Sequence, residues 1–197
     1  MFSINGDKAL GPDGYSAQFF KVAWNIVGED VVRAILHFFS TGIMLPAFNA
    51  TSVALVPKCP NPSSIKEFRP ISCCFIIYKC ITKVLANRLK QFMPMLVNPN
   101  QSAFIIGRNI TDNVLLAQEL VRGYGRATLF PRCVIKIDLQ KAFDSVNWGF
   151  ILKVLGAMNF PSLFIDWIRG CITTSRFSIS INGGLVRFFK GARGLGK

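Results

Sequence analysis

The stretch Cys133-Val-Ile-Lys-Ile-Asp138-Leu-Gln-Lys-Ala-Phe143-Asp144 gathers the side chains best suited to chemistry in this 197-residue chain. Its apolar run, Arg132 to Asp138, reads as a buried strand that delivers Asp138 at an exposed end. A carboxylate on so rigid a mount suits a divalent cation. Magnesium takes hard oxygen ligands, few of them from protein, and keeps waters or substrate phosphates for the rest. A strand-ending Asp that caps a turn is the competing account of Asp138. Asp144 stands directly before Ser145 and a helical pattern, where an N-cap or first-turn role explains it. Phe143 is placed to line a pocket or to fill a core.

Basic residues form a second candidate group: Lys58, Lys66, Arg69, Lys79, Lys83, Arg88 and Lys90. In Phe68-Arg69-Pro70 the proline holds the chain extended and presents the guanidinium outward. Arginine suits phosphate because its fork donates two parallel hydrogen bonds. For Lys79 and Lys83 a solvated helix face is an equal account. Arg108, after Gly107, is a third candidate phosphate contact.

Composition agrees with an anionic partner. The formal net charge is +13 and the pI about 9.9. The charge is uneven. Residues 1–57 hold three basic and four acidic side chains, 58–108 hold eight and one, and 109–197 hold twelve and five. An excess of this kind points to a polyanion such as nucleic acid. Half the residues are hydrophobic and 18 are Phe, which excludes a disordered chain. The apolar runs break well before the ~20 residues of a membrane span. Nothing at the N-terminus reads as a signal peptide, so the expected location is cytoplasmic or nuclear, not secreted. The six cysteines form no C-x-x-C pair and His37 is the sole histidine, so no zinc site is expected and the cysteines are expected buried and reduced.

The elements that must position these groups follow from periodicity. Helices are expected at Ala17–Val27 and Asp30–Ser40, broken near Gly28. Thr51–Val56 reads as a strand, followed by a loop punctuated by Pro57, Pro60, Pro62 and Pro70. Phe75–Met93 is a long amphipathic helix with Ile77, Ile81, Val84 and Leu85 on one side. Asp112–Arg122, Val146–Met158 and Pro161–Thr174 are further helices. Phe177–Ile181 and Leu185–Phe189 form a hairpin around Asn182-Gly183-Gly184. Strands and helices mix without βαβ alternation, an α+β class.

Seven words now stand in order: Gly11-Pro-Asp-Gly14, Val53-Ala-Leu-Val-Pro-Lys58, Glu67-Phe-Arg-Pro-Ile-Ser72, Leu85-Ala-Asn-Arg-Leu89, Asn100-Gln-Ser-Ala-Phe104 with Gly107-Arg108, Ile137-Asp-Leu-Gln-Lys-Ala-Phe-Asp144 and Ile181-Asn-Gly183. Together they closely resemble the reverse transcriptase of non-LTR (LINE-type) retrotransposons, of the kind abundant in plant genomes. The resemblance runs from about residue 10 to 195. It implies the fingers and partial palm of a right-hand polymerase fold, truncated before the rest of the palm and the thumb. Residues 1–197 would be a partial reverse transcriptase domain, with N-terminal helices and fingers over about 10–130 and the start of the palm over about 131–197.

By that resemblance Asp138 is the first catalytic carboxylate and, with the Leu139 backbone carbonyl, holds Mg²⁺. Phe143 is the bulky residue that rejects a ribonucleotide 2′-OH, and Lys58 and Arg69 lie on the dNTP side. Gln101 to Arg108 is a fingers segment on template or primer, with Lys79 and Lys83 as further nucleic-acid contacts. The implied partners are an RNA template and a DNA primer; no membrane and no stable protein partner are expected. The implied reaction is attack of a primer 3′-hydroxyl on the α-phosphate of a dNTP. One departure bears on activity. After Arg193-Gly194-Leu195 the family continues Arg-Gln-Gly-Asp-Pro-Leu-Ser-Pro, whereas this chain reads Gly196-Lys197, and no Asp-Asp pair occurs anywhere. Two metals need carboxylates from more than one segment, so this chain alone is expected to be inactive. A non-catalytic basic RNA- or DNA-binding remnant and an unstable product are the alternatives.

Overall fold

In a computed structural model the chain is described over residues 1–7, 9–122, 124, 133–139 and 142–194. It divides into two compact units, residues 1–84 with 141–197 and residues 85–140. The first unit is built on one mixed sheet. Strand β1 (Ala50–Pro57) pairs antiparallel with β2 (Phe68–Cys74) and parallel with β3 (Arg176–Ile181). In turn β3 pairs antiparallel with β4 (Gly184–Lys190), giving the order β2-β1-β3-β4. The described chain is thus a mixed helix-and-strand fold around four strands.

Helix α1 (Ala17–Val22) starts where Ser16 Oγ accepts from the Phe19 N–H. The break before α2 (Trp24–Thr41) falls at Ala23 and not near Gly28 as the sequence suggested. Gly28 lies inside α2, buried, where a Cβ would stand 2.9 Å from the Trp24 indole. A small residue was needed for ring packing, not for a turn. Gly42 ends α2 in the left-handed conformation, its N–H donating to Phe38 O.

The proline-rich stretch after β1 is also more ordered than a loop. A short 3₁₀ turn, Ile65–Glu67, carries a capping box between Ser64 and Glu67 and leads into β2. Pro70 pairs opposite Leu55 on this edge strand, the place in a sheet where a missing N–H is tolerated. Helix α3 (Ile76–Leu96) follows, ending three residues beyond its expected end at Met93 and with Pro94 inside its last turn.

The core of the first unit gathers Phe38, Ile76, Ile81, Ala17 and Cys80, each under 4% exposed. A buried polar joint sets the central pairing. Asn49 Nδ2 donates to Cys171 O (2.9 Å) and Thr174 Oγ1 (2.7 Å), and Asn49 O accepts from the Arg176 N–H (3.2 Å). This fixes the end of α7 (Ser162–Thr173), and hence the start of β3, beside the start of β1. Between them lie α5 (Ala142–Ser145) and α6 (Trp148–Ala157), the latter capped by Asn147. In the second unit, α4 (Ile110–Val121) starts at Asn109, whose side chain accepts from the Thr111 N–H.

Candidate active site and nucleic-acid interface

Asp138 sits in the second unit on the segment 133–139, which adopts no regular secondary structure. The expected buried strand is not formed there. Ile135, Ile137 and Leu139 are 73–78% exposed. A run so nearly continuous in apolar residues needs neighbours on both faces, and among the described residues no strand pairs with it. Arg132, Gln140 and Lys141 lie outside the described residues. The Asp138 carboxylate is exposed and forms no hydrogen bond or ion pair with a described residue. No three His, Cys, Asp or Glu side chains gather at a metal-holding distance among the described residues. Among the described residues one carboxylate and the Leu139 carbonyl do not make a two-metal cage, so the described residues do not by themselves fit a resident Mg²⁺ pair.

Phe143 belongs to the first unit, on α5, 64% exposed. Its neighbourhood is tied down from the far end of the chain. Gly194 N donates to Val146 O (2.8 Å), and Trp148 Nε1 donates to Gly194 O (2.7 Å). Gly194 has φ +87°, and a Cβ there would sit 2.6 Å from Asp144 O. Asp144 thus lies in α5 against a glycine that nothing larger could replace, while Asn147 caps the next helix.

Lys58 and Arg69 are brought together. The Lys58 N–H donates to Glu67 O, and Val56 pairs with Arg69, which puts both basic residues on one face of the β1–β2 hairpin. The Lys58 ammonium donates to Lys66 O (2.7 Å), bracing the hairpin tip. The Arg69 side chain is exposed. On α3, Lys79 and Lys83 stand one turn apart. Lys79 Nζ donates to Ala9 O (3.2 Å), whereas Lys83 is exposed. Beside Lys79, burial raises the Cys73 thiol, the ammonium offsetting part of that rise. Cys74, Cys80 and Cys171 are buried as expected, but Cys59 and Cys133 are exposed.

Gln101 and Arg108 also meet, in the second unit. The Arg108 guanidinium donates to four backbone carbonyls: Pro94, Val97, Asn98 and Gln101, at 2.6–3.0 Å. Pro94 lies in the last turn of α3 and Val97 directly follows it, where carbonyls lack helical partners and a cation meets the negative end of the dipole. Asn113 Nδ2 links the same loop to α4 through Ser102 Oγ (2.7 Å) and Asn100 O (3.2 Å). The loop so braced displays Phe104 at 88% exposure, with φ +65°. The sequence reading passed over Phe104 as a site residue. An apolar residue inside a polar, glycine-ended loop was the available signal.

Comparison of the sequence with known proteins supplies the class. The chain belongs to the reverse transcriptase (RNA-dependent DNA polymerase) family, which its residues 56–195 match. The relatives narrow this to the non-LTR retrotransposon kind. Over 96% of its length the chain is 29% identical to the transposon TX1 uncharacterized 149 kDa protein of Xenopus laevis. Over 95% it is 25% identical to the Pol polyprotein of a type-1 retrotransposable element R2 in Nasonia vitripennis, and over 94% it is 25% identical to that of the R2DM element of Drosophila melanogaster. The chain spans only 14%, 18% and 17% of these relatives' own lengths. Enzymes of the family work with divalent metal on nucleic-acid substrates. No helix among the described residues is long and apolar enough to cross a membrane.

Proposed function

We propose that the chain forms the fingers and the leading part of the palm of an RNA-templated DNA polymerase, and that it holds template and primer without completing the chemistry alone. The observation that carries this reading is the family match, whose range, residues 56–195, includes Asp138, in a sequence with no Asp-Asp pair. In the complete reaction Asp138 would contribute one carboxylate to a divalent-metal site that the described residues of this chain do not complete. Phe143 would stand against the sugar of the incoming dNTP. Lys58 and Arg69, on one hairpin face, would meet its phosphates. Gln101 would present its amide to template or primer from the loop that Arg108 braces, and Lys83 would add a phosphate contact from α3. Phosphoryl transfer rests on positioning and electrostatics, so one carboxylate leaves little catalysis.

The test is primer extension on poly(rA)/oligo(dT) with Mg²⁺ and dTTP, beside Asp138→Asn, together with binding of the same hybrid at several salt concentrations. We expect no extension by either protein, and binding whose log K falls linearly with log salt because counterion release is less favourable at high salt. Extension by the native chain that Asp138→Asn abolishes would overturn the claim of inactivity. Absence of hybrid binding at low salt would overturn the reading as a whole.

A further inference from the structure

The β3–β4 hairpin carries a surface that none of these roles uses. Residues 170–197 hold five basic side chains and no acidic one. Register places Arg176 opposite Lys190 and Ser178 opposite Phe188. Alternation therefore puts Arg176, Lys190 and Phe188 on one face, while Phe177 and Phe189 stack on the other at 5.6 Å. Like charges directly opposite one another destabilise a strand pair. The ion pairs among the described residues, Arg33–Asp30 and Arg169–Asp166, leave both of these cations without a carboxylate. Beside them Phe188 is 77% exposed.

We propose that this face binds an unpaired nucleic-acid strand, a base stacking on Phe188 and the adjoining phosphates lying on Arg176 and Lys190. Lys190 stands about 7 Å along the strand from Phe188 and Arg176 lies directly across from Lys190, so both cations sit on one side of the ring, within reach of phosphates adjoining one stacked base. A polyanion relieves the repulsion between the two cations, and every base offers a face to an aromatic ring. The alternative occupant of a sheet edge is another strand. Arg187, with φ +56° in the irregular part of the β3–β4 register, breaks the flat ladder that strand addition needs.

The proposal is independent of the polymerase reading and is tested with the full chain by fluorescence anisotropy of labelled oligo(dT) and oligo(U) of about twelve nucleotides. Phe188→Leu should weaken binding roughly tenfold at low salt, while Phe188→Tyr retains it. The pair Arg176→Gln with Lys190→Gln should lower the log–log salt slope by about 1.4, the value for two phosphates on a single strand. Blunt RNA–DNA hybrid binding should not respond to Phe188→Leu, which separates this surface from the template–primer site. Equal response of oligo(dT) and oligo(U) would assign a site blind to the 2′-OH; response of one alone would restrict the proposal to that strand. Unchanged affinity in Phe188→Leu and an unchanged slope in the double variant would overturn it. So would self-association in sedimentation velocity that Phe188→Leu abolishes with no effect on oligonucleotide binding. Should a variant fail to fold, photo-crosslinking of a 4-thiouridine oligonucleotide to the native chain decides: adducts on residues 184–193 support the site, and adducts only elsewhere refute it.

Discussion

At the scale of single residues, Arg108 changes the meaning of the loop around it. Its side chain is spent on the carbonyls that end α3 and shape the turn at Gln101. Its first effect is therefore to position Gln101 and the exposed Phe104. Hydrogen bonds from a charged donor contribute about 1.5–3 kcal/mol, so Arg108→Ala should destabilise the loop by about that amount. Hydrogen exchange of the amides at residues 98–107 should accelerate accordingly, with β1 and β3 unaffected. Arg108→Lys should not rescue it, because a point ammonium cannot span carbonyls from both the helix end and the loop. Little of this was legible beforehand. Sequence spacing brought Arg108 and Gln101 into one segment, but not the direction of the guanidinium, which depends on where α3 ends. That end was hidden because Pro94 reads as a helix breaker, although one proline in a last turn disturbs only a single earlier carbonyl.

At the scale of elements, local chemistry that stands alone was read well, and chemistry that depends on a neighbour was not. The β3–β4 turn is the clearest success. Asn182 (φ 49°) and Gly183 (φ 80°) both take positive φ, the conformation a two-residue hairpin requires and the one that Asn-Gly favours. Gly183→Val should cost roughly 1–2 kcal/mol, the penalty of a left-handed backbone for a side chain, and should lower the midpoint of thermal unfolding measured by circular dichroism. Gly183→Asn should cost distinctly less. The helices α3, α4, α6 and α7 were legible from their 3.6-residue stripes and caps. By contrast, β2 was taken for loop because a single Pro70 outweighed its pairing with β1, a partner no local window contains. The apolar run at 133–139 failed in the opposite sense. Its composition specifies a strand only where flanking strands exist, and the described residues place none beside it. The family motif around Asp138 was thus recognisable as sequence, while the cage that would give it chemistry was not.

At the scale of the whole molecule, buried protons make the first unit sensitive to alkali. Burial raises the thiols of Cys80 and Cys73 above the ordinary value of 9.0, and raises the Tyr78 phenol well above 10.0. Because the folded values are the higher ones, the unfolded chain ionises first. The stabilisation is whole below pH 9 and declines as pH climbs past the unfolded values toward the folded ones. Urea unfolding midpoints should therefore fall steadily between about pH 9 and 11. Tyr78→Phe should flatten the upper part of that fall, although it gives up the bond from the hydroxyl to Cys171 O. The parallel pairing of β1 with β3 has a different consequence, one that belongs to synthesis. Thr51 aligns with Phe177, so the centre of the sheet joins segments more than a hundred residues apart. At about 5–20 residues per second, β1 leaves the ribosome roughly 6–25 s before its inner partner is made. Once β2 has followed, β1 has a strand partner on one edge only, and the other edge stands open to chaperones or to the β3 of a neighbouring nascent chain.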